Sequence, residues 1–147
     1  MRAFLFQASV NPTSAKQYDL RVSPAVGSKI WWPADVYRSY MQPGMLVFFW
    51  LAGTVEVRGL HGWGRLASEP YKEGKDHRVD VTFAGRFEPH VPASDIQLDP
   101  ALSKHAIFTV RAGSVFLLES DEVDALIQHI PLAQRQTLST APTLPAL

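Results

Sequence analysis

Seven consecutive apolar residues, Met45-Leu46-Val47-Phe48-Phe49-Trp50-Leu51, constrain the fold of this chain more than any other stretch. An apolar run of this length, rich in aromatics and without polar alternation, predicts a strand covered on both faces. Gly53-Thr54 then turns the chain, and Val55 to Leu66 reads as the partner strand. Leu60, Gly62, Gly64 and Leu66 share one face of that partner, so two of its four positions lack bulk. Glycine inside a strand marks a bend, a barrel corner or a closely approaching group. The stretch from Gly44 to Leu66 is therefore expected to be a buried hairpin in a curved sheet.

Around the hairpin, short apolar runs alternate with turn signals. Residues 2–8 read as a first strand, ended by Ser9-Val10-Asn11-Pro12. Residues 13–30 read as a loop with a short helical turn. Pro33 to Met41 suits a short helix, with proline and an acid in its first turn and Pro43-Gly44 after its end. Arg78 to Phe87 alternates as a third long strand, broken by Pro89 to Pro92. Asp99-Pro100 caps a predicted short helix over Ala101 to His105. Ile107 to Arg111 and Ser114 to Leu118 read as short strands about an Ala112-Gly113 turn. Val123, Leu126, Ile127 and Ile130 follow i, i+3, i+4, i+7 and predict a helix opening at Ser120, with acids at its positive end. Short strands, frequent turns and a few peripheral short helices make an α+β domain on a curved, barrel-like mixed sheet. Residues 1–131 are expected to form this domain, and 132–147, with two prolines and several small residues, a flexible C-terminal tail.

At 147 residues the chain has the usual size of one domain. It has no cysteine, which removes disulfides, thiolate metal sites and a cysteine nucleophile, and a reducing, cytoplasmic setting is expected. The apolar run after Met1-Arg2 is too short for a signal peptide, and no stretch approaches the ~18 apolar residues of a membrane span. Fourteen basic and fourteen acidic residues cancel, but residues 1–65 carry seven against three and the remainder seven against eleven. All four tryptophans lie in the basic part, so a nucleic-acid partner has to be held by a local patch. The five histidines never fall at i, i+3 or i, i+4 spacing, and neither a metal nor a cofactor is expected. Gly-x-Ser-x-Gly is absent and Gly62-Trp63-Gly64 lies inside a strand pattern, so catalysis is not expected either.

The order of these features resembles the EVE domains of the PUA-like superfamily, relatives in fold of the YTH readers of methylated adenine. The resemblance runs from Phe4-Leu5-Phe6-Gln7 into Asn11-Pro12 and Tyr18-Asp19-Leu20, then through the tryptophan pair to Met41-Gln42-Pro43-Gly44 and the apolar run. It continues with Gly59-Leu60-His61-Gly62-Trp63-Gly64 and with Arg111 to Leu118 and the helix beyond, covering residues 2–130. Gly44-Met45 departs from the glycine-aspartate the family often shows, and Ser9-Val10 looks like an insertion before Asn-Pro. The resemblance implies a PUA-like pseudo-barrel and a non-catalytic module. Such a module takes a single nucleobase, usually a modified one such as 5-methyl- or 5-hydroxymethylcytosine, into an aromatic pocket. Members are bacterial as well as eukaryotic, and several are attached to nucleases or helicases. DNA or RNA carrying a modified base is the implied partner, together with a separate nuclease or helicase.

A flipped base offers two faces to aromatic rings and an edge that must regain hydrogen bonds. Trp31, Trp32 and Trp50 can supply the rings; of the adjacent pair, one is expected to point inward and the other toward the pocket. Trp50 shares strand parity with Leu46 and Phe48, which suits core packing as well as pocket lining, while Trp63 reads as core. Ser9 and Asn11 can supply hydroxyl and amide groups, Tyr18 can close the site, and backbone groups at Gly113 and Ser114 can meet the base edge. Arg21, Lys29, Arg38, Arg58 and Arg65 can hold flanking phosphates. Two other readings stay open. One is an RNA-binding module that recognises folded RNA by shape, with steep salt dependence; the other is a small enzyme acting on nucleic acid or nucleotides.

Overall fold

The computed structural model describes residues 1–11, 16–110 and 112–140. Strands β1 (Ala3–Ser9), β2 (Lys29–Pro33), β3 (Leu46–Ala52), β4 (Gly59–Leu66), β6 (Asp76–Pro92) and β7 (Val115–Leu118) form one sheet in the order β2-β6-β4-β3-β1-β7. The short β5 (Tyr71–Glu73) pairs with β6. The β1–β3 pair is parallel and the other pairs are antiparallel, so the sheet is mixed. Three short helices accompany it: α1 (Ala93–Gln97), α2 (Ser120–His129) and α3 (Leu132–Thr140).

The sheet curls. Trp32 on β2 and Phe6 on β1 have ring centroids 5.1 Å apart although β6, β4 and β3 lie between their strands. Phe4, Phe6, Ala8, Val47, Phe49, Val79, Val81 and Phe83 fill the inside of the curl around Trp32. Leu5, Phe48, Trp50, Leu60, Trp63 and Phe87 form the outer face, covered by Ile96 of α1 and by Val123 and Leu126 of α2. Both faces of β3 are thus buried, which is why its sequence shows no polar alternation. The β4 glycines allow β6 to approach. A Cβ at Gly64 would collide with the Thr82 carbonyl oxygen, and one at Gly62 with the Gly85 carbonyl and the Phe83 ring. Register shifts at Leu60/Gly62 and Trp63/Gly64 mark the bulges that bend the pair.

Several local expectations are corrected. Trp31 and Trp32 lie within β2, paired with Asp80 and Val79, and the helix expected over 33–41 shrinks to a single 3-10 turn, Arg38–Tyr40, with no buried residue. Residues 35–40 are exposed throughout, so no packing stabilises a longer helix there. Strand β4 begins at Gly59, because Val57 and Arg58 donate their amides back to the Thr54 carbonyl in a turn. Strand β6 passes through Pro89, which sits between Arg86 and Val91 where no β4 residue pairs with it. Ala106–Phe108 is a 3-10 turn rather than part of a strand, and the His105 Nδ1 accepts the Ile107 amide there. Residues 101–105 are turns, the helix of this region being α1. Residues 132–140 form α3, where a loose tail was expected, and Gln134 donates to the Glu88 carbonyl. Residues 141–147 lie outside the described residues, as do Pro12 and Arg111.

Candidate functional site

Strand β7 pairs only with Ala3 to Phe6, so β1 runs on past it. There Gln7 donates its amide to the Ser114 carbonyl (2.9 Å), Ser9 to the Lys16 carbonyl (3.2 Å), and Tyr18 to the Ser9 carbonyl (3.2 Å). Residues 16–18 therefore lie along the end of β1. Side chains connect this end to β2, the far edge of the sheet. The Trp32 Nε1 donates to the Ser114 carbonyl at 2.9 Å. Its ring stacks on Phe6 at 13°, runs parallel to Tyr18 (6.0 Å, 10°) and meets Phe49 edge-on (5.6 Å, 74°).

Strand alternation sends Trp31 the other way, out of the curl, where it is 38 % exposed. Lys16 reaches over it with Nζ 3.5 Å from the ring centroid, and 5.1 Å and 5.6 Å from those of Tyr18 and Trp32. The Arg78 guanidinium, from β6, lies 4.0 Å from the Trp31 centroid. Lys29 shares the outward face of β2 two residues before Trp31 and is exposed. Burial, and next the nearby Arg78 charge, bring Lys16 down to about 8, while burial pushes the Tyr18 hydroxyl up. The arrangement is an exposed indole among three basic side chains, backed by a buried aromatic stack.

The structure brings together Ser9, Tyr18, Trp31, Trp32, Gly113 and Ser114, with roles that differ from those expected for some. The Ser9 Oγ accepts the Asn11 amide at 3.0 Å and shapes the turn, leaving Asn11 at the surface. The Gly113 carbonyl accepts the Gln7 side-chain amide, and the Ser114 carbonyl already accepts two donors, so these groups hold the site together rather than present an open edge. Trp50 is not in the cluster. It is 1 % exposed on the outer face of the sheet, edge-on to Phe108 at 5.7 Å, and parity with Leu46 and Phe48 makes it core because helices cover that face. Arg38 donates to the Ala34 and Asp35 carbonyls and Arg65 to that of Gly44. Arg21 is forked onto Asp19, whose carboxyl that contact lowers. Arg58 donates to the Ile107 carbonyl and lines a cavity of about 360 Å³ with Gln7, Ala52 and Phe108, also on the outer face. Lys29 alone of the five expected phosphate ligands flanks Trp31. Sequence reasoning missed Lys16, Arg78 and Phe6, which only strand register and curl bring to the tryptophans. Among the described residues no three potential metal ligands gather.

A mixed sheet curled around an aromatic cluster, helices on its outer face, defines the class: the chain has the α+β, PUA-like fold of EVE/DUF55 domains. It is similar in structure to the DUF55 domain of human thymocyte nuclear protein 1, with TM-score 0.64 and 16% identity over 88% of this chain and 99% of that one. It is likewise similar to human THYN1 protein in complex with 5-methylcytosine containing DNA (TM-score 0.63, 18% identity, 86% and 95% covered). A hypothetical protein from Leishmania major matches at TM-score 0.67 and 18% identity, over 92% and 97% of the two chains. No protein-family model matches the sequence, and no curated protein matches it in sequence.

Proposed function

We propose that this chain is a non-catalytic nucleic-acid-binding module that captures one base, modified as in 5-methylcytosine, at Trp31. The observation that carries the reading is the exposed Trp31 ring, with Lys16 and Arg78 standing over it and Lys29 on the same strand face. An aromatic face with cations beside it is the physical requirement for stacking a base and holding its phosphates. Stacking contributes about 1–3 kcal/mol, short of the ~4 kcal/mol of even millimolar binding, so phosphate contacts supply the remainder. One extra buried methyl adds only about 0.8 kcal/mol, so sharp preference for a methylated base requires exclusion by shape or a further hydrogen bond. The DNA complex of human THYN1, a protein of the same fold, supports DNA as the polymer. A separate nuclease or helicase acting on the captured strand fits a module that performs no reaction itself.

Short DNA and RNA oligonucleotides with and without 5-methylcytosine, 5-hydroxymethylcytosine and N6-methyladenine, titrated at low salt, test the proposal. Several-fold preference for one modified strand supports it. Indifference to all of them overturns it, as does turnover of any strand by the purified chain.

A further inference from the structure

We infer that Lys16 is the resident occupant of the base site, its ammonium standing over Trp31 where a stacked base would lie and moving to the phosphate of an entering nucleotide. The inference rests on the base-capture reading above and names the ligand's second part: a nucleotide bearing a phosphate, not a base alone.

The position of the ammonium comes first. At 3.5 Å from the Trp31 centroid it lies at stacking distance, and base and ammonium cannot share that place. Tyr18 and Trp32, at 5.1 Å and 5.6 Å, complete a three-ring cage, an arrangement suited to a cationic guest. Here the guest is the chain's own side chain.

What the ammonium lacks comes second. Lys16 is 8 % exposed, and among the described residues neither a carboxylate nor a hydrogen-bond acceptor meets its Nζ. The charge that acts on it is that of Arg78, of like sign, and the acid paired with that guanidinium, Asp76, is 3.9 Å away and mostly exposed. Among the described residues, three N–H donors are thus held by ring faces alone, next to a second cation. A phosphate oxygen offers what the rings do not, a charge-assisted acceptor. Burial and Arg78 together already weaken the hold on the Lys16 proton, so exchange of rings for a phosphate relieves a desolvated charge. The partner of the freed rings is then the base.

Binding of 5-methyl-2′-deoxycytidine and of its 5′-monophosphate to the full chain, wild type against Lys16→Ala, tests this by tryptophan fluorescence. The wild type is expected to prefer the monophosphate by about tenfold, one charge-assisted hydrogen bond. Lys16→Ala, which leaves the ring face uncovered, is expected to bind the uncharged nucleoside several-fold tighter and to lose the monophosphate preference. Weaker nucleoside binding by Lys16→Ala overturns the inference, because Lys16 then touches the base. Unchanged binding of both ligands overturns it too, and leaves base capture standing. Absence of binding by either protein, to these ligands and to the modified oligonucleotides, overturns base capture and the inference with it. Lys16→Ser, with an unchanged melting temperature, serves as the second variant and is expected to give the same pattern.

Discussion

Phenylalanine in place of Trp32 and, separately, of Trp50 removes the same atoms from two fully buried positions and exposes how differently the two indoles are held. The transfer and cavity losses are alike to first order, since both side chains are at most 1 % exposed. The polar balance is not. The Trp32 Nε1 donates to the Ser114 carbonyl, a net loss of about 0.5–1.5 kcal/mol on removal, and that carbonyl keeps its bond from the Gln7 amide. The Trp50 Nε1 is buried with no acceptor among the described residues, so phenylalanine there recovers about 1–3 kcal/mol of desolvation. Trp32→Phe is therefore expected to be the costlier change by roughly 3 kcal/mol at mid-range. For a chain of this length that is a difference in melting temperature on the order of 10 °C. Thermal and urea unfolding of both variants measure it. Equal shifts, or a larger loss for Trp50→Phe, would refute the assignment of Trp32 as the tie between β2 and the β1–β7 end.

His61 is 2 % exposed, stacked on His90 at 4.4 Å and brought down to about 4, chiefly by burial. The folded state binds its proton less readily than the unfolded chain, so stability falls as pH drops from about 6.5 through 4, by up to about 3 kcal/mol. Urea unfolding at pH 7 and pH 4 checks this, and His61→Gln is expected to flatten that limb. Gly64→Ala drives a methyl into the Thr82 carbonyl oxygen and is expected to cost about 3 kcal/mol, read as a lowered urea midpoint. Lys29→Gln is expected to reduce the slope of log K against log salt by about 0.7–0.9 for single-stranded or duplex DNA, while Arg65→Gln, tied to the Gly44 carbonyl, leaves it unchanged.

How much of this was legible in the sequence follows from which forces are local. Strand β3 announces itself because both its faces are buried, and α2 because Val123, Leu126 and Ile130 repeat with the helix. The β4 glycines pointed to a curved sheet, and the Thr82 and Gly85 carbonyls show the crowding behind that pattern. Strand β2 was hidden because Pro33 and Asp35 mimic a helix start, while Trp31 pairs with Asp80, far along the chain. The directions of Trp31 and Trp32 follow from that pairing, and alternation alone has no inside. Trp50 was ambiguous for the same reason: parity groups it with Leu46 and Phe48, but only the docked helices make their face a core. Lys16 carried no signal, since its place over Trp31 depends on residues 16–18 running beside the end of β1.

The most direct test of base capture is the affinity of wild type and Trp31→Ala for one single-stranded DNA containing 5-methylcytosine, at one fixed salt concentration. Trp31 faces outward and takes no part in either buried cluster, so the variant should stay folded, with at most a small loss from its contacts with Lys16 and Arg78. Affinity is expected to fall between about 5- and 150-fold, the worth of one base–indole stack. Unchanged affinity in a folded Trp31→Ala protein would contradict it.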